Sequence, residues 1–312
     1  MTSKSRVCLF AFVLVGTLGL VFVTTTSALA AAPAETISYW KLDEAAQVPP
    51  GVYVEEINAN DGACAAGGCP DAVAGQVDGA QDFDASDGID VPAPAPGEDF
   101  NWAGDASFSI ALWMNRDDTG GANLPDNEVI IGRDDTTPPV GTVHWWVGLD
   151  SATPGPGGEG AVATFVLSDS GVQAPNSGFG VIGTSDLADG AWHHIVAVRD
   201  DAAGKLRLYV DGAQEAEKDV ATGAYATGFD STENLTMGYM LFGVATDFFE
   251  GAIDEVSLYG KALSAAEVTE QYQAGLAGEG IDTLVDDTDD TVTKKKKSGG
   301  GSGGCFISAM AE

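Results

Sequence analysis

Apolar and polar residues alternate with a period of two along much of this chain, and Gly, Asp, Asn and Pro interrupt the alternation at short intervals. In "ASFSIALWMNRDD" (106–118), Phe108, Ile110, Leu112 and Met114 share one face of an extended segment. "ISYWKLD" (37–43), "NEVIIGRDD", "VHWWVGLD", "AVATFVLSD", "LTMGYMLFG" and "DFFEGAIDEVSLYG" read as further strands. "GQVDGAQDFDASDGIDVPAP" (75–94) reads as two short strands around Asp/Ser/Gly turns. "AWHHIVAVRDDAAGKLRLYVDGA" (191–213) has the pattern of a β-hairpin, with "DDAAG" as its turn. A helical period occurs convincingly in one place, "KALSAAEVTEQYQAG" (261–275), where Ser264 and Glu267 form a capping box and Gly275 offers a stop. Many short strands with a single helix predict an all-β fold, an antiparallel β-sandwich carrying one short C-terminal helix.

The two ends follow other patterns. Lys4 and Arg6 precede an apolar run from Val7 to Val23, and "SALA" then places Ala28 and Ala30 in the A-x-A arrangement of a cleavage site. Residues 1–30 are therefore expected to be an export signal, with an N-terminal membrane anchor as the competing reading. No later segment is long and apolar enough to cross a bilayer. After residue 278 the pattern dissolves into an acidic run, four lysines and Gly/Ser repeats, which reads as a linker over 279–304. A short apolar tail, "CFISAMAE" (305–312), follows.

Charge narrows the range of partners. The chain carries 47 Asp and Glu against 14 Lys and Arg, a net charge of −33, which repels nucleic acid and anionic lipid. Cys64 and Cys69, in "GACAAGGCPDAV", can form a disulfide in an exported chain; two free thiols are the alternative. Cys305 has no evident mate.

"SFSIALWM", "IIGR", "GAWHHIVAVRDDAAGKLRLYVDG", "LTMGY" and "FEGAIDEVSLYGKALSAAEV", in this order, resemble the successive strands of a bacterial LamG-like domain. That family is of the concanavalin A-like lectin/glucanase type. "ISYWKLDE" and "GAQDFDASDGIDVP" are similar to its first strands. The resemblance covers roughly residues 36–275, within a domain set at 36–278. It implies a jellyroll of two curved sheets, no catalytic residues of its own, and binding of glycans or proteins outside the cell; some members hold a structural calcium. The tail resembles the CFI box of some exported bacterial proteins, although the residues after "CFI" depart from its usual alanine-rich ending.

Candidate chemistry is sparse. Glucanases of this type present three carboxylates near an E-x-D-x-E spacing on one strand face. Here Glu250, Asp254 and Glu255 have the wrong spacing, and neighbours Asp254 and Glu255 face apart. No G-x-S-x-G or zinc spacing occurs. The chain is therefore expected to be a non-catalytic binding module for glycan or an extracellular protein. A glycan-active enzyme and a structural or adhesive surface component are the alternatives. Calcium needs several hard oxygen ligands, and adjacent first and last strands would bring Asp43 towards Asp254. Asp84, Asp87 and Asp90 form a second acidic group; for both groups the competing reading is solvated turn carboxylates. Candidate sugar-contacting residues are Trp145, Trp146, His193, Tyr209 and Tyr239, whereas Trp113 and Trp192 read as core. His193 and His194 point to opposite faces of one strand, so a shared metal would require a bulge. His194 joins the apolar side as a core histidine, and His193 falls on the open side.

Overall fold

A computed structural model describes residues 35–284 apart from 66, 117–123, 125, 135–143, 152–160, 169–179, 221–224, 226–227 and 243. The expected signal, most of the expected linker, and the tail with Cys305 lie outside the described residues. The strands are β1 (Thr36–Trp40), β2 (Ala63–Cys64), β3 (Asp71–Ala74), β4 (Gly79–Phe83), β5 (Ile89–Val91), β6 (Phe108–Asn115), β7 (Glu128–Arg133), β8 (His144–Asp150) and β9 (Val162–Ser168). They continue with β10 (Gly180–Ile182), β11 (Trp192–Asp200), β12 (Lys205–Val210), β13 (Ala213–Asp219), β14 (Leu235–Met237), β15 (Met240–Phe242), β16 (Val244–Thr246) and β17 (Gly251–Tyr259). One sheet has the order β13-β12-β11-β6-β17-β4-β3, with β1 also paired to β17; the other runs β10-β9-β8-β7-β14-β5-β2. The neighbours in both sheets pair antiparallel, as the alternating patterns require. Two antiparallel sheets with one helix are the jellyroll sandwich expected from sequence.

Phe108, Ile110, Leu112 and Met114 of β6 enter the principal core together with Ile195, Ala197, Leu206 and Leu208 of the same sheet. Trp145, Val147, Leu149, Phe165 and Leu167 meet them from the other sheet. A second core lies outside the first sheet. There Tyr39, Ala111, Val196, Val198, Tyr209 and Tyr259 pack with Leu263, Val268 and Ile281, from the helix α1 (Ala265–Leu276) and its flanks. Strands β6 and β11 are therefore buried on both faces. His194 is buried among apolar neighbours, as expected, but His193 does not fall on an open side. Ile195 and Ala197, on the His193 side, look into the sandwich, while His194 lies on the outer side under α1. Alternation separates two faces of a strand but cannot rank them when both are apolar. Trp192, expected in the core, is only half-buried at the start of β11.

Helix α1 starts as expected, since Ser264 and Glu267 make both bonds of the capping box. Its stop is corrected. Gly275 lies inside the helix, where a Cβ would come within 2.6 Å of the Trp113 indole. The turn is made instead by Gly278 (φ +72°), whose N–H donates to the Gly275 carbonyl while Glu279 N–H donates to the Ala274 carbonyl. After α1 a 3-10 turn (Ile281–Leu284) follows, with Ile281 and Leu284 buried. Cys64 and Cys69 form the disulfide, with Cα atoms 4.7 Å apart. Among the described residues, no helix is long and apolar enough to cross a membrane.

Candidate functional site: a surface groove and a buried acidic corner

The aromatic residues expected to meet sugar are packed inside. Trp145 sits in the principal core with Trp102, ring centroids 5.6 Å apart. Trp146 lies on the other face of β8, under Met240 of β15 and against Val129 and Val166. Tyr209 belongs to the core beneath α1. Tyr239 donates its hydroxyl to Asp90 and stacks on Phe248 at 5.7 Å. All four are at most 5% exposed, so none offers a free ring face to a sugar. Trp145 lies between the sheets, while the helix covers the face that carries Tyr209 and the β15–β16 ribbon the face that carries Trp146.

His193 is likewise committed. Its Nδ1 lies 2.9 Å from Asp211 and its Nε2 3.1 Å from Asp189. Burial alone would lower its pKa, but the two carboxylates outweigh that effect and raise it. His193 therefore reads as a pin between two loops rather than a ligand contact. His194 stacks on Tyr272 at 6.2 Å and meets the Trp113 ring at a tilt at 5.1 Å, and complete burial pushes its pKa down to about 4. The unfolded chain protonates this group near 6.5, so stability that depends on neutral His194 is lost as pH falls from about 6.5 towards 4. At ~1.4 kcal/mol per pH unit the loss amounts to about 3 kcal/mol. Urea unfolding at pH 7 and pH 4.5 checks this; the difference should shrink in His194→Phe and persist if another group is responsible.

A groove of about 440 Å³ opens beside β7 and β16, lined by Asp126, Asn127, Thr246, Asp247, Phe248 and Glu250, among others. Backbone pairing builds its wall, because Val129 N–H donates to the Asp247 carbonyl at 2.8 Å and Asp247 holds a left-handed conformation (φ +51°). At its base Arg116 makes a two-pronged bond to Glu128 (2.9 and 3.0 Å) and a third to Glu250 (3.0 Å). Asn127 Oδ1 accepts from the Ser151 N–H and hydroxyl at 3.0 and 3.1 Å. Burial, and then the charge of Asp126, raise the Asp247 pKa. Carboxylates, an amide and a hydroxyl beside one aromatic ring in a concavity are equipped to bind a polyhydroxyl ligand. Sequence reasoning missed this group. Its residues come from two segments far apart in the chain, and only "TDFFEG", where acidic and aromatic residues crowd together, signals it.

Glu250 therefore belongs to the groove, whereas Asp254 and Glu255 occupy another corner, and the triplet does not assemble. The register of β17 shifts between Asp254 and Ser257, and Glu255 adopts φ +54°. β1 does pair with β17, as expected. Asp254 Oδ2 accepts from Val77 N–H at 2.9 Å, and Asp43 Oδ1 from Gly79 N–H at 2.7 Å, so one turn of the β3–β4 hairpin holds both carboxylates. Tyr39 donates its hydroxyl to Glu255 Oε2 at 2.5 Å. Burial, and then neighbouring carboxylates, push Asp254 up to about 8 and Glu255 up to about 7. Four buried acceptors, Asp254 Oδ1, Glu255 Oε1, Glu44 Oε2 and Gln81 Oε1, have no hydrogen-bond partner. Orphaned hard oxygens suit a calcium ion. Among the described residues, however, no three Asp, Glu, His or Cys side chains converge on a metal position, so backbone carbonyls would have to supply further ligands. In the second acidic group Asp87 accepts from the Asp84 N–H, and Asp90 lies half-buried in β5. Asp84 binds Ser86 and Asp90 binds Tyr239.

Known folds place this architecture. A domain of an extracellular arabinanase from Geobacillus stearothermophilus, solved with arabinotriose, aligns at TM-score 0.49 and 17% identity, over 76% of this chain and 97% of that one. A botulinum neurotoxin type C structure, whose description concerns interaction with two ganglioside molecules, aligns at 0.51 and 10% identity, over 77% of this chain and 51% of that one. Trypanosoma rangeli sialidase aligns at 0.52 and 16% identity, over 80% of this chain and 35% of that one. At these identities the likeness is one of fold. No curated protein matches the chain. The family model Laminin_G_3 matches residues 83–269, most of the sandwich, and the chain belongs to this family of the concanavalin A-like lectin/glucanase superfamily.

Proposed function

We propose that this domain is an exported, non-catalytic binding module whose surface groove recognises a glycan. The groove carries the reading, since it gathers Asp126, Asn127, Thr246, Asp247 and Phe248 around a space large enough for a short oligosaccharide. The fold shared with a ganglioside-interacting neurotoxin supports it, as does the separation of Glu250 from Asp254 and Glu255. The disulfide and the signal-like N-terminus support export. An extracellular or surface protein is the competing occupant. We further propose a structural calcium at Asp43 and Asp254, supported by the orphaned Asp254 oxygen.

Screening against an array of neutral polysaccharides tests the function. Binding should weaken at least tenfold, ~1.4 kcal/mol, in Asp247→Ala with the melting temperature preserved. Binding unaltered by Asp247→Ala would move the site elsewhere. Release of reducing ends, lost in Glu250→Gln, would replace the module with an enzyme.

A further inference from the structure

A second cavity, about 180 Å³, lies where the ends of β1 and α1 meet the β3–β4 turn. Asp43, Asp78, Glu255, Glu279 and Asp282 line it, and among the described residues Lys41 is its one basic side chain, ion-paired to Asp282 at 2.8 Å. The cavity therefore carries a strong excess of negative charge. Two further observations favour a cationic ligand. Glu255 is 95% buried, yet its Oε1 has no partner. Helix α1 directs its C-terminal end here through Gly278 and Glu279, and its last turn has no basic residue to balance the negative end of the helix dipole. Among the described residues no three carboxylates converge as a metal-ligand set, and Asp254, the partner of Asp43 in the proposed calcium site, does not line the cavity, so the lining suits a second, larger cation whose charge is spread by several hydrogen bonds. The volume equals about six liquid waters at ~30 Å³ each, the scale of one monosaccharide.

We propose that this cavity is a subsite for an amine-bearing sugar, its ammonium group accepted by Glu255 and the surrounding carboxylates. The choice of ligand rests on the glycan-binding reading above; the charge preference rests on the cavity alone.

The test uses the whole mature chain in calcium-saturated buffer and measures calorimetric affinity for glucosamine oligomers and their N-acetylated counterparts. The free-amine oligomer should bind at least tenfold more tightly, with the advantage falling as salt rises. Glu255→Gln and Asp78→Asn should each erase that advantage, while Asp247→Ala should not. Asp78→Asn, at an exposed turn, keeps the test valid if Glu255→Gln fails to fold. Equal affinity for both oligomers overturns the proposal and leaves the glycan reading standing. Absence of binding to either oligomer overturns it too, and binding to no array glycan would remove the glycan reading as well. Capture of a lysine-rich peptide without glucosamine binding would also overturn it.

Discussion

Arg116→Met is expected to lower the unfolding free energy by about 3–5 kcal/mol, because it strands a buried charge. Arg116 and Glu128 are both more than nine-tenths buried, and the guanidinium satisfies both oxygens of that carboxylate. Burial already raises the Glu128 pKa, with Arg116 as the main force lowering it again. Without Arg116 the carboxyl must take up a proton or remain charged in an apolar setting, and either outcome is costly. Glu250, with a side chain 54% exposed, can return to solvent and contributes little to this cost. The double variant Arg116→Met/Glu128→Leu should regain most of the loss, since a well-packed apolar pair substitutes for a buried ion pair at small net cost. Urea denaturation of the wild type and the single and double variants gives the coupling directly. A single-variant loss under 1 kcal/mol would show that water reaches this pair.

Chelation is expected to have the other large effect, and its size should depend on pH. Burial, and then the charges of Glu255 and Asp43, keep Asp254 protonated up to about pH 8, while the unfolded chain releases that proton near 3.8. Between these limits the native state binds more protons, so the metal-free protein loses stability as pH rises, on the order of 6 kcal/mol across the window. At the proposed site calcium would compete with that proton and bind only the native corner. At a hundredfold excess over its dissociation constant it contributes about 2.7 kcal/mol, or about 5–10 °C in melting temperature. The EDTA-induced fall in melting temperature should therefore be several degrees at pH 8 and small at pH 5. A melting temperature indifferent to EDTA at both pH values would remove the ion, and Asp254→Asn should then stabilise the protein at pH 8.

The sandwich was legible because its strands obey a strong rule. "SFSIALWM" and "WHHIVAVRD" became β6 and β11 almost residue for residue, since their period-two pattern marks an extended segment even though both faces prove to be buried. Short or charged strands carried no such signal. β13, "AQEAEKD", lies at a sheet edge where charge is tolerated, and β10 has only three residues. "LTMGYMLFG" read as one strand but divides at Gly238 (φ +84°), which turns the chain against Phe83. The site was far less legible. Exposure of Trp146 or Tyr209 depends on what packs over the sheet, and neither the ribbon above Trp146 nor the depth of α1 above Tyr209 follows from local pattern. The pairing of β1 with β17 was readable from the jellyroll resemblance, and it brought Asp43 and Asp254 to one turn. Arg116 and Glu128 stand twelve residues apart with no motif between them, so their pairing could be seen only in three dimensions.

Backbone amide shifts, recorded by NMR during titration with a glycan selected from the array, test the central claim most directly. A module of this kind should show its largest changes at Asn127, Thr246, Asp247 and Phe248, with β11 and β12 undisturbed. Shifts confined to other surfaces, or none at saturating glycan, would contradict a groove built for sugar.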